Sequence, residues 1–318
     1  MLDPSLSISH RTVVRATPQA MFDLVADTEG APRFAPAQLF AEVCPGPAVP
    51  VRPGVVEDAV RRWVHTGETV RSWEVSRVLD RDRLRIGFTH SAPGPGIRAQ
   101  CGAWSFDAVA DGTTEVRVVH TLDADNAKAA RASLANLEQN VPKQLSAYKF
   151  VGELGPGLPQ LYITHRDSLV LAGAVDDVSA VLARPDVWAL HGGLAATAAE
   201  RAVGPGADLL TVAPPTNARN PGAPFRYIRI CPAQHRFAYK RLDLARRLHA
   251  EVGEWRMVAH EGATMLSVER TVTLALDTLK ALGSDDAALE SAREQARHRL
   301  RGEVRDLLNG VAGVVKQG

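Results

Sequence analysis

The stretch Ser72–Asp80, SWEVSRVLD, has the alternating pattern of a β-strand with two different faces. One face carries Trp73, Val75, Arg77 and Leu79, and the opposite face is mostly polar. The apolar face should be buried, yet it holds an arginine, which stays charged and is seldom buried without a partner. Such an arginine usually lies half exposed at a sheet end or pairs with a carboxylate. The alternative is that the arginine lines a functional pocket inside the protein.

The same pattern occurs a second time further along the chain. Arg229 lies in FRYIRICP as Arg77 lies in SWEVSRVLD, and Gly102–Trp104 (GAW) corresponds to Gly253–Trp255 (GEW). A strand and a short helix open each copy, and a long helical pattern closes it. Because the spacing between paired landmarks is nearly constant, the sequence predicts two tandem domains.

Each copy reads as a strand, a short helix, several strands at hairpin spacing and a long final helix. This order predicts an α+β fold in which a curved antiparallel sheet wraps around the C-terminal helix and encloses a cavity. The Gly- and Pro-rich segment 152–160, GELGPGLPQ, predicts a linker between domains 1–151 and 161–318. Thr17 and Pro18 predict the start of the first helix, and Pro142 should kink or perturb the long helix of the first copy.

Composition restricts the class of protein. The 318 residues are 45% apolar and 23% charged, which is typical of a globular chain. The formal net charge of +1 gives no electrostatic reason to expect a nucleic acid or membrane partner. Three cysteines without metal-ligand spacing predict reduced thiols in a cytoplasmic protein, and no apolar run is long enough to span a membrane.

Two histidines join the apolar faces of the first copy. His90 ends the alternating strand that contains Phe88, and His120 follows Val118 on another strand. Three tryptophans also fall on candidate inner faces: Trp63, Trp73 and Trp104. A lone histidine is more often a hydrogen-bonded core or rim residue than a catalyst, and such tryptophans are mostly core. Several polar groups converging in an apolar interior, however, are typical of a small-molecule site.

The motifs SWEVSRVLD, GAW and RVVHTLD, with a long final helix, resemble the polyketide aromatase/cyclases of bacterial type II polyketide synthases. These proteins have the helix-grip fold of START-type and plant-allergen-type (Bet v 1-like) lipid-binding domains. The tandem arrangement resembles their di-domain subclass, and the resemblance covers nearly the whole chain. It therefore implies two helix-grip domains.

The resemblance implies a main catalytic pocket in the first copy. Catalytic roles would fall to Arg77, His120 and His90. The substrate-binding set comprises Trp63, Trp73, Trp104, Phe88, Asn140 and Gln144. Because Gln144 stands where some members have an aspartate, and glutamine cannot transfer protons, the His–Asp relay of those members is in question.

The second copy departs further from the family pattern. It keeps Arg229, and its pocket would be lined by Arg229, Tyr227 and Trp255. Arg270 occupies the histidine position, Glu303 the helix asparagine position and Leu307 the aspartate position, while Phe225 replaces the strand tryptophan. The first copy should therefore perform most of the chemistry, and the second should be degenerate or accessory.

The implied reaction is first-ring cyclisation, between C7 and C12, or dehydration and aromatisation of a poly-β-ketone on an acyl carrier protein. The second copy resembles members that use chains already reduced at C9. Arg77 would stabilise an oxyanion, and a histidine titrating near neutrality would move protons. No cofactor or metal is needed, and the partners would be the carrier protein and other synthase components. The alternatives are a non-enzymatic carrier of a lipid or product and an interaction protein that positions the synthase.

Overall fold

The computed structural model of the protein describes residues 5–46, 49–192, 197–213, 223–244, 248–275 and 286–316. The chain divides into two compact units. Unit 1 comprises residues 1–64 and 72–158, and unit 2 comprises residues 65–71 and 159–318. The segment expected as a linker forms the end of a long helix, a 3-10 helix at Gly155–Gly157 and the start of a one-turn helix at Leu158–Leu161.

Unit 1 is an antiparallel sheet with a long C-terminal helix. Its strands are β1 (Ser5–Val14), β2 (Gln38–Val43), β3 (Val49–Arg52), β4 (Val55–Thr66), β5 (Thr69–Asp80), β6 (Arg85–His90), β7 (Ile97–Ala110) and β8 (Thr113–Ala124). Its helices are α1 (Pro18–Ala26), a 3-10 helix at Ala31–Arg33 and α2 (Ala127–Gly152).

Neighbouring strands along the chain pair as hairpins, and β1 returns to the last strand. Among the described residues the order is β1-β8-β7-β6-β5-β4-β2, with β3 paired to β4. One face of this sheet, called here the inner face, packs against α1 and α2. The core between them includes Phe106, Val118, Leu145 and Tyr148, each less than 9% exposed. Burial of this continuous apolar layer is the main driving force for the fold.

Unit 2 repeats this architecture. Its helices are α3 (Leu158–Leu161), α4 (Val175–Ala183), α5 (Pro185–Trp188) and α6 (Asp286–Val315). Its strands are β9 (Tyr162–Ala172), β10 (Thr197–Gly204), β11 (Ala207–Ala213), β12 (Phe225–Ala233), β13 (Arg236–Arg241), β14 (Leu248–His260) and β15 (Ala263–Leu274). In the described part of the chain the order is β10-β11-β12-β13-β14-β15-β9, so the first strand again pairs with the last. The predicted fold class, two tandem α+β helix-grip domains, is confirmed.

Local sequence signals explain where the helices begin. The Thr17 side chain accepts a hydrogen bond from the Ala20 N–H at 3.3 Å, and Pro18 occupies the first turn of α1, as predicted. Asn126 caps α2 in the same way, by accepting from the N–H groups of residues 128 and 129. The α2 helix continues through Pro142 rather than ending there.

Candidate functional site

The inner face of unit 1 carries the residues that the alternating pattern points inward. On β5, Val75 and Arg77 are buried, and on β8, Val118 and His120 are buried. Phe88 on β6 lies with them in the core. The pleat explains this arrangement, because every second side chain of a strand projects to the same face.

Four rings from three strands form a continuous cluster on this face. Trp73 stacks on His90, with ring centroids 5.9 Å apart and an interplanar angle of 24°. Phe88 contacts both histidines, with its centroid 5.7 Å from that of His90 and 5.2 Å from that of His120. The structure thus brings two imidazoles together within an aromatic wall. We call these four residues the aromatic–histidine cluster.

Two buried nitrogens of this cluster are unpaired. Neither Nδ1 of His120 nor Nε1 of Trp73 has a hydrogen-bond partner among the described residues. Burial, together with the charge of nearby His10, lowers the pKa of His120 to about 4. The imidazole is therefore neutral at physiological pH, whereas titration near neutrality was predicted from the sequence. Buried polar atoms left without partners are uncommon and often mark a ligand-binding position.

Arg77 is satisfied by the protein itself. Its Nε and Nη2 donate to the two carboxylate oxygens of Asp58 at 2.8 and 2.6 Å. Its Nη1 donates to the Ala26 carbonyl at 2.9 Å and to the Thr28 hydroxyl at 2.5 Å. Four of the five guanidinium N–H groups are used, which leaves one free. Of the environments expected for an inward arginine, Arg77 therefore has the one in which it pairs with a carboxylate.

The remaining predicted residues of unit 1 have separate environments. Trp104 packs edge-on against Tyr148, with centroids 5.8 Å apart. The Gln144 side chain hydrogen-bonds the Tyr148 hydroxyl, and burial raises the pKa of that hydroxyl. The Asn140 amide donates along the helix to Asn136 rather than toward His120.

The placement of Trp63 on the inner face was wrong. Trp63 is buried, but it packs against Phe40, with centroids 5.4 Å apart. It is not part of the core cluster that α2 covers. Its neighbours on β4, Val60 and Arg62, have the opposite parity to Trp63 and project to the inner face. Both faces of β4 carry large side chains, so the alternation of apolar residues could not predict which face of the strand is the inner one.

Two polar residues on the inner side of unit 1 were not predicted from the sequence. Arg62 makes no hydrogen bond or ion pair with any residue that the structure describes, and its Nε is shielded from solvent. Tyr148 lies on the buried face of α2. The alternation of Asp58, Val60 and Arg62 along β4 could have predicted the inward position of Arg62. The helical spacing of Val141, Leu145 and Tyr148 could have predicted that Tyr148 lies on the buried face of α2.

In unit 2, Arg229 repeats the arrangement of Arg77. Its Nη1 donates to the Ala183 carbonyl at 2.6 Å, and its Nη2 donates to Glu200 and Asp208 at 3.0 and 2.9 Å. Trp188 and Phe237 flank the guanidinium, with centroids 5.6 and 5.7 Å away. The residue is buried and held on several sides.

The other residues predicted for the second pocket lie in the core of unit 2. Tyr227 and Trp255 are fully buried core residues. Arg270, at the position that corresponds to His120, donates to Glu251 at 2.6 Å and pairs with Glu303 of α6 at 2.8 Å. Ion pairs thus connect sheet and helix where unit 1 has its aromatic–histidine cluster.

The described ranges lack two other kinds of site. No group of three or more His, Cys, Asp or Glu side chains there could hold a metal ion, and no described helix is long and apolar enough to cross a membrane. A groove of about 690 Å³ lies at the unit 1 sheet, and its walls include outward-facing Ser76, Val78, Thr89 and Cys101. Its lining also includes Phe88 of the aromatic–histidine cluster and the Arg77–Asp58 pair.

No family model matches the chain. Two curated relatives do. The granaticin polyketide synthase bifunctional cyclase/dehydratase of Streptomyces violaceoruber is 28% identical over 298 residues, which cover 92% of this chain and 88% of that protein. The actinorhodin polyketide synthase bifunctional cyclase/dehydratase of Streptomyces coelicolor is 28% identical over 181 residues, covering 57% and 54% respectively.

Two solved structures match over almost their full length. StfQ, the di-domain ARO/CYC of the steffimycin pathway, has a TM-score of 0.78 at 26% identity, covering 98% of both chains. The chain resembles the di-domain aromatase/cyclases. BexL, the di-domain ARO/CYC of the BE-7585A pathway, also has a TM-score of 0.78, at 22% identity over 97% of this chain and 98% of its own. The aromatase/cyclase resemblance covers both units.

Proposed function

We propose that this protein is a polyketide cyclase/dehydratase that acts on a carrier-bound poly-β-ketone in the interior of unit 1. The observation that carries the proposal is the aromatic–histidine cluster, which presents an unpaired imidazole nitrogen and an unpaired indole N–H within an apolar wall. The two curated relatives are named as cyclase/dehydratases of polyketide synthases. An apolar site with a few convergent polar groups suits a long, mostly uncharged chain.

Ring closure needs a base and an acid. The neutral His120 imidazole takes a proton from the carbon between two ketones, and the C–H electron pair becomes the enolate. The enolate carbon attacks a second ketone, a carbon–carbon bond forms, and the carbonyl electrons move to oxygen. That oxygen takes the proton back from the imidazolium, so the step is balanced without an added reagent.

Dehydration uses the same groups again. Removal of an α-proton and protonation of the hydroxyl release water and leave a carbon–carbon double bond, which leads to the aromatic ring. His120 is the first candidate for this transfer and His90 the second. The role of Arg77 as an oxyanion donor stays a prediction, and its one free N–H is the group available for it.

We further propose that the first ring closes between C7 and C12 of a chain already reduced at C9. The acyl carrier protein and other synthase components would be the partners. The resemblance of the second copy to members that use chains already reduced at C9 is the support for this choice, because the alcohol that is lost as water forms in the ring closure of either chain.

The experiment supplies the purified protein with carrier-bound chains, reduced and unreduced, and identifies products by mass spectrometry. We expect the aromatic first ring from the reduced chain. His120→Asn should lower kcat by about 100- to 10,000-fold, because it removes the proton acceptor. The matched control His260→Asn alters an exposed histidine and should leave turnover unchanged.

Three results would count against these proposals. Ring closure of the unreduced chain alone would overturn the substrate proposal. Full turnover by His120→Asn would overturn the role of that residue. Tight binding of chain or product without any ring closure would favour the non-enzymatic carrier.

The pH dependence follows from the pKa of His120, which is about 4. The basic form of the side chain is present above that value, so kcat/KM should show no His120-dependent inflection near the ordinary histidine pKa of about 6.5. The lowered pKa also means that the folding stability contributed by neutral His120 is complete above about pH 6.5 and is lost as the pH falls toward 4. An inflection near pH 6.5 that disappears in His120→Asn would contradict this assignment.

A further inference from the structure

Arg62 is a cation on the inner side of unit 1 without a counter-ion. Residues 58, 60 and 62 lie on the same face of β4. Asp58 binds Arg77 and Val60 lies in the core at 1% exposure, so this is the inner face. The Arg62 guanidinium, in contrast, forms no hydrogen bond or ion pair with any part of the chain that the structure describes. Its side chain keeps some accessible surface although its Nε is fully shielded.

The charges around Arg62 do not balance. Arg62 and Arg77 bring two positive charges, and Asp58 neutralises the second of them through a bidentate pair. Burial lowers the pKa of Arg62, and the charge of Arg77 acts in the same direction. One guanidinium nitrogen, Nε, is shielded from solvent, while the residue as a whole keeps some accessible surface. An unpaired charge in such a place is strongly unfavourable for folding.

A second donor lies within electrostatic range of Arg62. The Tyr148 hydroxyl acts to raise the pKa of Arg62, and it hydrogen-bonds the Gln144 side chain of the same helix. The Tyr148 ring is wedged edge-on between Phe34 and Trp104, with centroids at 5.5 and 5.8 Å. A rigid phenol and a free guanidinium in an apolar wall form a site suited to an oxygen anion.

We propose that Arg62 binds the enolate oxygen of the β-ketone substrate and that Tyr148 is the second donor to it. This inference rests on the proposed function. When the C–H bond on the carbon between two ketones breaks, the proton goes to the base and the electron pair is delocalised onto the ketone oxygen. The Arg62 guanidinium donates hydrogen bonds to this oxygen and stabilises its negative charge. Arg77, already neutralised by Asp58, holds the sheet and α1 in place.

This assignment explains how a weakly basic histidine can act. A neutral His120 with a pKa of about 4 removes a carbon-bound proton only if that proton is made more acidic. A fixed cation at the enolate oxygen does this, since it stabilises the charged product of proton transfer in a site with little water.

The test uses benzoylacetone, a 1,3-diketone whose enolate absorbs at a longer wavelength than its neutral form. The bound diketone is titrated with pH in the full-length wild-type protein and in Arg62→Gln. We expect ionisation at least about one pH unit lower in the wild type, a tenfold stabilisation of the enolate. Turnover of the carrier-bound chain should fall about 100- to 1,000-fold in the variant.

Arg61→Gln is the matched control. Arg61 is the preceding residue of β4, projects to the opposite face and pairs with Glu74. It should behave as the wild type in both assays. Arg62→Lys should retain part of the shift, because it keeps the charge without the planar fork.

Stability separates a functional arginine from a structural one. Removing an unpaired buried charge should leave the midpoint of urea unfolding unchanged or raise it, whereas removing a structural arginine lowers it. Equal diketone ionisation and equal turnover in Arg62→Gln and the wild type would overturn the proposal, as would a lowered midpoint with unchanged ionisation. A wild type that ionises the diketone but closes no ring would instead count against the proposed function.

Discussion

Arg77 and Arg229 perform the same structural task in the two units. Each donates to the carbonyl of the last residue of the short helix, Ala26 in α1 or Ala183 in α4, and to an aspartate of the neighbouring strand. The last carbonyls of a helix lack partners within the helix, so a buried guanidinium satisfies them and ties the helix to the sheet. This explains why the sequence places an arginine on the inner face twice.

Arg77→Met should lower the free energy of unfolding by about 3–5 kcal/mol, because Asp58 is left as a buried, uncompensated charge. Urea titration of the full chain measures this. Arg77→Met with Asp58→Leu should recover much of the loss. Arg98→Met, which removes only exposed pairs with Asp123 and Asp125, should change little. If the changes in the free energy of unfolding caused by Arg77→Met and Asp58→Leu simply add in the double variant, the Arg77–Asp58 pair is not the cause of the loss.

At the level of the strands, a glycine makes room for an aromatic ring in each unit. Gly102 of β7 lies opposite Phe88, and Gly253 of β14 lies opposite Tyr239. A Cβ at Gly102 would clash with the Val119 backbone oxygen and with the Phe88 ring, and one at Gly253 would clash with the Tyr239 ring. The glycine of GAW is thus required by a close backbone oxygen and a ring, and the glycine of GEW by a ring.

Gly102→Ala should displace Phe88, which contacts both histidines, and should therefore reduce turnover as well as stability, the latter by about 1–3 kcal/mol. The measurements are kcat on the carrier-bound chain and the urea-unfolding midpoint. Gly87→Ala is the control, since a Cβ there meets only Val78, at 3.8 Å. Turnover that is unchanged in Gly102→Ala despite a lower midpoint would show that the position of Phe88 does not matter for catalysis.

Across the whole molecule, two units with one fold have different interiors. At corresponding positions, unit 1 has neutral His120 in an aromatic wall, whereas unit 2 has Arg270 between Glu251 and Glu303. The Nε of Arg270 is buried without a hydrogen-bond partner among the described residues, but its two other nitrogens each pair with a carboxylate. The chain of charges continues from Glu251 to Arg241 at 3.3 Å. Because these charges satisfy one another, the unit 2 interior suits a stabilising role, and we expect catalysis in unit 1.

Arg270→Met should lower stability by about 3–5 kcal/mol, because Glu251 is only 1% exposed and would keep only its longer pair with Arg241, at 3.3 Å. Turnover by the folded protein should stay within about twofold of the wild type, with the same product. Unfolding and product analysis on the same sample measure both. A large loss of kcat at a temperature where the variant is folded would assign catalysis to unit 2 as well.

Local and repeating features of the chain were readable from its sequence. Strand alternation predicts the inward positions of Val75, Phe88 and His120, because side chains of a strand alternate strictly between faces. The repeated landmarks predict two copies of one α+β design, and the cap at Thr17 predicts the start of α1. These are properties of short segments or of their spacing, so one sequence contains them.

Partners between distant segments were decided only by the tertiary structure. Arg77 pairs with a carboxylate 19 residues away and with a carbonyl 51 residues away, and no local pattern specifies either contact. The pKa of His120 depends on its burial, and the neutralisation of Arg77 but not Arg62 depends on where Asp58 lies. Trp63 was misplaced because both faces of β4 carry large side chains. Charge balance in an interior is a sum over all neighbours in space, so it exists only once the chain has folded.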